Sequence, residues 1–313
     1  MYSEFYRSLY RIRRVEEEMA RIYPSDKIRS PMHLSIGQEA VAVGVCEALH
    51  RDDVVFGTYR GHATYLAKGG DLKKMIAELY GKIDGCSKGK GGSMHLVDVE
   101  HGVMGTSAIV GTTIANSVGY AYAMKYQQKK IITASFFGDG AVDEGVFYES
   151  LNFAALKNLP IIFICENNSY AIHSHQLTRQ HTDNIVQRAI SCGVRAEKIE
   201  DNNIIQIYES VKDAAEKIRQ ESYGPVLFEC MTYRWREHVG PNEDYGLGYR
   251  SREEAQKWID MDQLTIVADK IPEKERLLIE KEVNKEIQQA VEFAEESLFP
   301  DKKELLTDIF KEN

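Results

Sequence analysis

Three things are scarce in this chain: an excess of positive charge, long apolar runs and patterned cysteine. Lys and Arg number 39 against 48 Asp and Glu, for a net charge of −9. That balance lacks the basic footprint of a nucleic-acid binder. No apolar stretch approaches the roughly 20 residues that cross a bilayer as a helix. The opening segment, MYSEFYRSLYRIRRVEEEM, carries charge throughout and has no apolar core, so it does not read as a secretory signal. The five cysteines (Cys46, Cys86, Cys165, Cys192, Cys230) are odd in number and lack CxxC spacing. This argues against a disulfide framework or a zinc site and fits a reducing, cytoplasmic setting. Internal repeats and low-complexity segments are also missing. What is present, 43% hydrophobic and 28% charged residues in 313, suits a globular fold with a sizeable core. Length alone allows one large α/β domain or two small ones.

The stretch Gly138–Tyr170, GDGAVDEGVFYESLNFAALKNLPIIFICENNSY, carries the most information. Residues 131–137 before it are apolar and rich in β-branched and aromatic side chains, a short buried strand. Gly138-Asp139-Gly140 then turns the chain sharply, because glycine tolerates backbone angles that other residues resist. From Val142 to Asn158 the pattern is helical, with Phe147, Leu151, Ala154 and Ala155 on one face. Pro160 ends it, and Ile161–Cys165 is a second buried strand. A strand–helix–strand crossover of this kind belongs to a parallel sheet covered on both faces. Ligands of such sheets sit beyond the carboxyl ends of the strands, where Asp139 and Asn167-Asn168 fall. A carboxylate and an amide there are hard oxygen donors, suited to Mg²⁺ with phosphate and water completing its shell. The plainer reading is a loop turn followed by an Asn-rich strand end.

Elsewhere the signals are weaker. Residues 2–22 form a charged amphipathic helix ending near Pro24, and a second helix runs to Leu49 after His33. A lone histidine at such a place is more often structural than catalytic. Val54–His62 is a strand entering a turn, where Tyr59, Arg60 and His62 could meet a phosphate, Arg being suited to forked recognition of anions. Gly85–His95 (GCSKGKGGSMH) tempts a P-loop reading. It fails because three residues, not four, separate Gly85 from Gly89, and Gly follows Lys90. A mobile or ligand-covering loop is expected instead. Gly102–Gly119 is a small-residue turn entering a tightly packed helix. His173, His175 and His181 lack the carboxylate or cysteine partner that a zinc site needs. Residues 204–221 read as a helix and Pro225–Tyr233 as a strand. Arg234–Pro241 then forms a loop, and Ser251 caps a helix with Glu254 three residues on.

Taken in order, HLSIGQEA, YRGH, GCSKGKGGSMH, SAIVG, GDG…ENNSYAI and TYRWREH…GYR resemble the α-subunit of the thiamine diphosphate-dependent first component of 2-oxo acid dehydrogenases. That family includes the pyruvate, branched-chain and acetoin enzymes. The resemblance spans residues 4–260. It implies an α/β thiamine diphosphate-binding fold, a mostly parallel sheet flanked by helices with helical N- and C-terminal extensions. The expected organisation is a single domain over 1–313, with its core at about 30–240 and a helical region at about 251–313.

The resemblance further implies that Asp139, Asn168 and the Tyr170 carbonyl bind Mg²⁺, with Gly138 and Gly140 shaping the turn. Tyr59, Arg60 and His238 would contact the diphosphate, with Arg234 as a helper. The Ala108-Ile109-Val110 backbone would face the aminopyrimidine, with Ile109 propping the bent cofactor, and His33 would line the substrate end. His33 and His238 are the catalytic candidates. The reaction implied is oxidative decarboxylation of a small-molecule 2-oxo acid, pyruvate-like, with acyl transfer to a lipoyl group.

Family members take the glutamate for the pyrimidine nitrogen from a β-subunit. No glutamate here matches that role, since Glu39, Glu144 and Glu166 belong to α-subunit motifs. An obligate β partner in a heterotetramer is therefore expected, together with a lipoyl acyltransferase component. Val239 stands where mammalian relatives carry a regulatory serine, so kinase control at that position is not expected. WREHVGPNED and His173 depart from the pattern of the pyruvate enzymes, which points to an altered substrate pocket. Two alternatives remain: a split transketolase-like or acyloin-forming carboligase, and a decayed scaffold, which the intact Asp139, Asn168, Arg60 and His238 oppose.

Overall fold

Six parallel strands make the centre of the molecule in the computed structural model, which describes residues 1–221 and 223–310. The chain runs α1 (Tyr2–Ile22), α2 (Glu39–Ala48), β1 (Val54–Thr58), α3 (His62–Ala67), α4 (Leu72–Leu79), β2 (Val103–Ser107), α5 (Thr112–Tyr126), β3 (Thr133–Gly138), α6 (Gly145–Leu156) and β4 (Ile161–Asn167). A small hairpin of β5 (Tyr170–Ala171) and β6 (Ser174–His175) follows, then the short α7 (Gln176–Arg179), α8 (Ile185–Ser191), β7 (Arg195–Ile199), α9 (Ile204–Glu221) and β8 (Val226–Met231). The chain closes with α10 (Arg252–Ile259), α11 (Gln263–Ala268) and the long α12 (Glu273–Glu296).

Strand order is β2-β1-β3-β4-β8-β7, with every pair parallel. The expected α/β architecture is therefore present. Both faces of the sheet are covered, and the strands show it. On β4, Ile162 and Ile164 join one apolar cluster while Ile161, Phe163 and Cys165 join the other. The alternation follows from side chains of successive strand residues pointing to opposite faces. The larger cluster reaches from Phe5, Leu9 and Ile12 of α1 to Ile279, Val283 and Ile287 of α12. The two end helices thus bury their apolar stripes in the main core, and Arg7–Glu282 and Arg11–Glu286 pair along their outer edges.

Two local readings change. The helix after Gly140 begins at Gly145, because Asp139–Asp143 tightens into a 3₁₀ turn first. The glycine-rich segment at 85–95 is pinned in place. The Glu78 carboxylate, fully buried at 0% exposure, accepts the backbone N–H groups of Ser87, Gly89, Gly91 and Gly92 at 2.7–3.1 Å. Gly89 and Gly92 sit at φ +76° and +61°, which lets successive N–H groups turn toward one anion. The anion is the protein's own.

A second buried network ties this segment to α1. Ser93 Oγ meets His62 Nε2 at 2.8 Å, and His62 Nδ1 meets Glu16 Oε1 at 2.8 Å. The other Glu16 oxygen accepts Ser35 N–H at 2.7 Å. Serine, histidine and glutamate are each 0% exposed. The trio has the order of a hydrolytic triad but no access for a substrate, so its role is to hold the fold.

Replacing Glu78 with Gln puts an N–H₂ group where two of the four donors need an acceptor. We expect a loss of about 3 kcal/mol of stability in urea unfolding, charged hydrogen bonds contributing roughly 1.5–3 kcal/mol each. Proteolytic nicking within 85–92 should accompany it; a variant as stable and as resistant as the parent would refute the anchoring role.

Candidate active site

The sheet reverses its winding between β1 and β3. β2 adds on one side of β1 and the chain then returns to lay β3 on the other. The carboxyl ends of strands leave a crevice at such a switch point. A cavity of about 330 Å³ lies there, lined by Thr58 and Ser107 at the ends of β1 and β2, Gly138 and Asp139 at and just past the end of β3, and Glu166 and Asn168 at and just past the end of β4. One parallel sheet thus delivers four strand ends to one site.

The Asn167-Asn168 pair earns its place through turn chemistry. Asn167 Oδ1 accepts Ser169 N–H at 3.0 Å, and Asn168 Oδ1 accepts Tyr170 N–H at 3.1 Å, two overlapping side-chain turns. They hold Ser169 at φ +68°. Asn167 points away from the cavity, donating to Glu229 at 2.8 Å and Gln176 at 3.1 Å. Asn168 lines the cavity, and its Nδ2 donates to Gln38 Oε1 at 3.0 Å. The Tyr170 N–H, which can only donate, identifies the Asn168 oxygen, and the Gln38 bond agrees with it. Gln38 lies inside a quoted motif, yet nothing local in the sequence marks it as the residue that orients Asn168.

Asp139 is 1% exposed. Burial pushes its carboxyl up to about 6, against the pull of Arg179. Arg179 pairs with both Asp139 and Asp143, and Gln180 Nε2 donates to the Asp139 carbonyl at 3.3 Å and to Asp143 Oδ1 at 2.8 Å. Glu166, also on the cavity wall, is pushed up to about 7 by burial, with Arg60 opposing. A buried carboxylate and an oriented amide oxygen on adjacent strand ends fit a hard divalent cation.

Tyr59 and Arg60 line the same cavity. Arg60 is buried, and its guanidinium donates to the Leu34 carbonyl at 2.5 Å and the His238 carbonyl at 3.3 Å. His33, Tyr59 and His238 form a triangle of rings with centroids 4.5, 5.0 and 5.5 Å apart. The two histidines adjoin the cavity through Tyr59 and are not themselves on its wall. Burial, then the Arg60 charge, lowers each to about 3, so both rings are neutral near pH 7. His33 Nδ1 is buried without a partner.

Gly138, Gly140, Ile109, Val110 and Tyr170 are on the wall as well, with Ile109 66% exposed at the rim. Ala108 is not. Arg234 stands apart from the cavity: it is buried, and its guanidinium donates to the Arg236 and Ile172 carbonyls, Asp244 and the Tyr249 hydroxyl. It braces the loop after β8, and only its Nε is unpartnered. His173 and His175 pack their rings on Tyr249 and Tyr170.

Neutral His33 and His238 have a pH consequence. Once unfolded they take up protons below about 6.5, whereas folded they resist to about 3, so their contribution to stability falls as pH drops through that window. Replacing both with Asn should shrink the loss of urea stability between about pH 7 and about pH 5. An unchanged pH dependence would contradict their burial in neutral form.

Known proteins give the family. The profile of the dehydrogenase E1 component family matches residues 7–303. The α-subunit of acetoin:2,6-dichlorophenolindophenol oxidoreductase from Bacillus subtilis is 36% identical, over 97% of this chain and 92% of its own length. The pyruvate dehydrogenase E1 component α-subunit of Zymomonas mobilis is 38% identical over 98% and 87%. That of Rickettsia felis is 35% identical over 99% and 95%. A match along almost the whole sequence, joined to the motifs in their order, shows that the chain belongs to the dehydrogenase E1 component family.

Proposed function

We propose that this chain is the α-subunit of a thiamine diphosphate-dependent 2-oxo acid dehydrogenase, cytoplasmic and active with a β-subunit in a heterotetramer. The observation that carries this reading is the convergence of Asp139, Asn168, Tyr59 and Arg60 on one cavity at the switch point of the sheet. Thiamine diphosphate is the cofactor that the family implies, and when bound it supplies the carbon nucleophile and electron sink for decarboxylation.

The chain's own residues hold, orient and screen. Asp139, Asn168 and the Tyr170 carbonyl are assigned to Mg²⁺, with Gln38 and the Tyr170 N–H holding the Asn168 amide in place. Arg60 and Tyr59 are assigned to the diphosphate, with His238 beside them and Gly138 and Gly140 giving the backbone room. A fixed guanidinium already stripped of water is worth more to an anion than one in solvent. Ile109, with Ala108 and Val110, is assigned to the ring end, and His33, with its free Nδ1, to the substrate. Arg234 is assigned to bracing the loop that carries His238. The two imidazoles, held neutral by burial and by Arg60, offer hydrogen-bonding ring nitrogens without adding charge beside the site. Support for the second subunit comes from the relatives, which are named as α-subunits. Transfer of the acyl group to a lipoyl acyltransferase belongs to the same reading.

The test uses this chain co-purified with its β-subunit, thiamine diphosphate and Mg²⁺. 2-Oxo acids and, because of one relative's name, acetoin are offered, while carbon dioxide release and reduction of an artificial acceptor are followed together. Both signals with one 2-oxo acid are expected. Asp139→Ala should remove Mg²⁺-dependent cofactor binding and cut turnover at least about a hundredfold, metal-site losses commonly reaching that scale. Retained binding in that variant would overturn the metal assignment.

A further inference from the structure

Arg179 is unexplained by the proposed chemistry, yet it lines the same cavity and pairs with Asp139. It ends the short α7, its Nε lies 3.4 Å from the Ser174 carbonyl, and its two terminal nitrogens bridge Asp139 and Asp143. It is 17% exposed, against 1% for Asp139. Among the described residues it is the one cationic partner that Asp139 has. The cavity wall carries four carboxylates, Asp139, Asp143, Glu144 and Glu166, against two guanidiniums, Arg60 and Arg179.

We propose that Arg179 is a gate on the metal site, standing in for the divalent cation at Asp139 until cation and diphosphate arrive together. The proposal rests on the assignment of Asp139 to the metal. A buried carboxylate without a counter-charge is strongly unfavourable, and Arg179 supplies that charge in the free chain. A cation at the same oxygens would sit beside a guanidinium, and the two positive groups repel. A divalent ion alone must therefore break the Arg179–Asp139 pair and leave the guanidinium with Asp143. An incoming diphosphate changes the balance, because its oxygens give the displaced guanidinium a forked anionic partner. Cation and cofactor are then coupled through one side chain, and the coupling is reciprocal.

The test titrates Mn²⁺ into the cofactor-stripped complex of this chain with its β-subunit, reading free Mn²⁺ by electron paramagnetic resonance, with and without saturating thiamine diphosphate. Arg179→Met keeps most of the side-chain length and removes the charge. Without cofactor it should bind Mn²⁺ at least about fivefold tighter than the parent, the low end of typical coupling factors. The enhancement of Mn²⁺ binding by thiamine diphosphate should shrink by a similar factor. Arg179→Lys, which keeps the charge, should stay near the parent and guards against misfolding of the Met variant.

Equal or weaker Mn²⁺ binding by Arg179→Met without cofactor, in a complex with parental circular dichroism, overturns the gate. Asp139→Asn separates the two ideas. If it abolishes Mn²⁺ binding while Arg179→Met changes nothing, the metal site stands and the gate falls. If it leaves Mn²⁺ binding intact, the metal assignment itself is wrong and the gate goes with it.

Discussion

A carboxylate sealed from water has to have positive charge at hand, and Asp139 imposes that demand on everything around it. Its position is not negotiable, since it follows the last residue of a central strand. The 3₁₀ turn that follows Asp139 brings Asp143 within reach of the same guanidinium. The hairpin after Asn168 and the short helix behind it exist, in effect, to deliver Arg179 and Gln180 to that spot. The contrast with Asp244 is instructive. That buried carboxylate is held below its ordinary range, burial opposing, by hydrogen bonds from Tyr249, Arg250 and Arg234. It is permanently satisfied and can only be structural. Asp139 has one cationic partner and an open cavity beside it, which is the arrangement a ligand can exploit.

Glu78 solves the same problem differently. Its counter-charge is spread over four backbone dipoles, which need no side chain and cannot diffuse away. The glycines of that segment therefore serve an internal anion, where the same backbone geometry elsewhere would bind phosphate. Glycine richness alone does not distinguish the two cases. What separates them is whether an acid from another element fills the nest, and Glu78 comes from α4.

Much of the fold was legible from pattern. Residues 2–22 and 204–221 matched α1 and α9, because their apolar stripes recur at helical spacing over several turns. The buried strands β3, β4 and β8 stood out as short β-branched runs. The edge strands did not. β7 reads RAEKI and β2 reads VMGTS; a strand with one unpaired edge needs no continuous apolar run, and the small residues of β2 make room for the cavity. Around the cavity, the shared placement of Asp139, Asn168, Tyr59 and Arg60 was legible because each sits at or just past a strand end within an ordered motif. Gln38 and Arg179 were not. Their roles depend on contacts that span much of the chain or cross between loops, and no local spacing encodes which polar atom faces which. Arg234 shows the converse: an arginine in a site-proximal loop looks free in the sequence, while its terminal nitrogens are taken up by that loop and its neighbours.

The buried line from Ser93 through His62 to Glu16 bears on how this sequence can change. Each member satisfies its neighbour, and none has water as a substitute. Losing His62 alone would strand a carboxylate and a hydroxyl at once, whereas replacing all three by apolar residues of matching shape would strand only the Ser35 amide. Their mutational effects are therefore epistatic. Three positions drawn from the first helix, the start of α3 and the glycine-rich segment form one unit of inheritance, and single steps away from it are far steeper than the combined step.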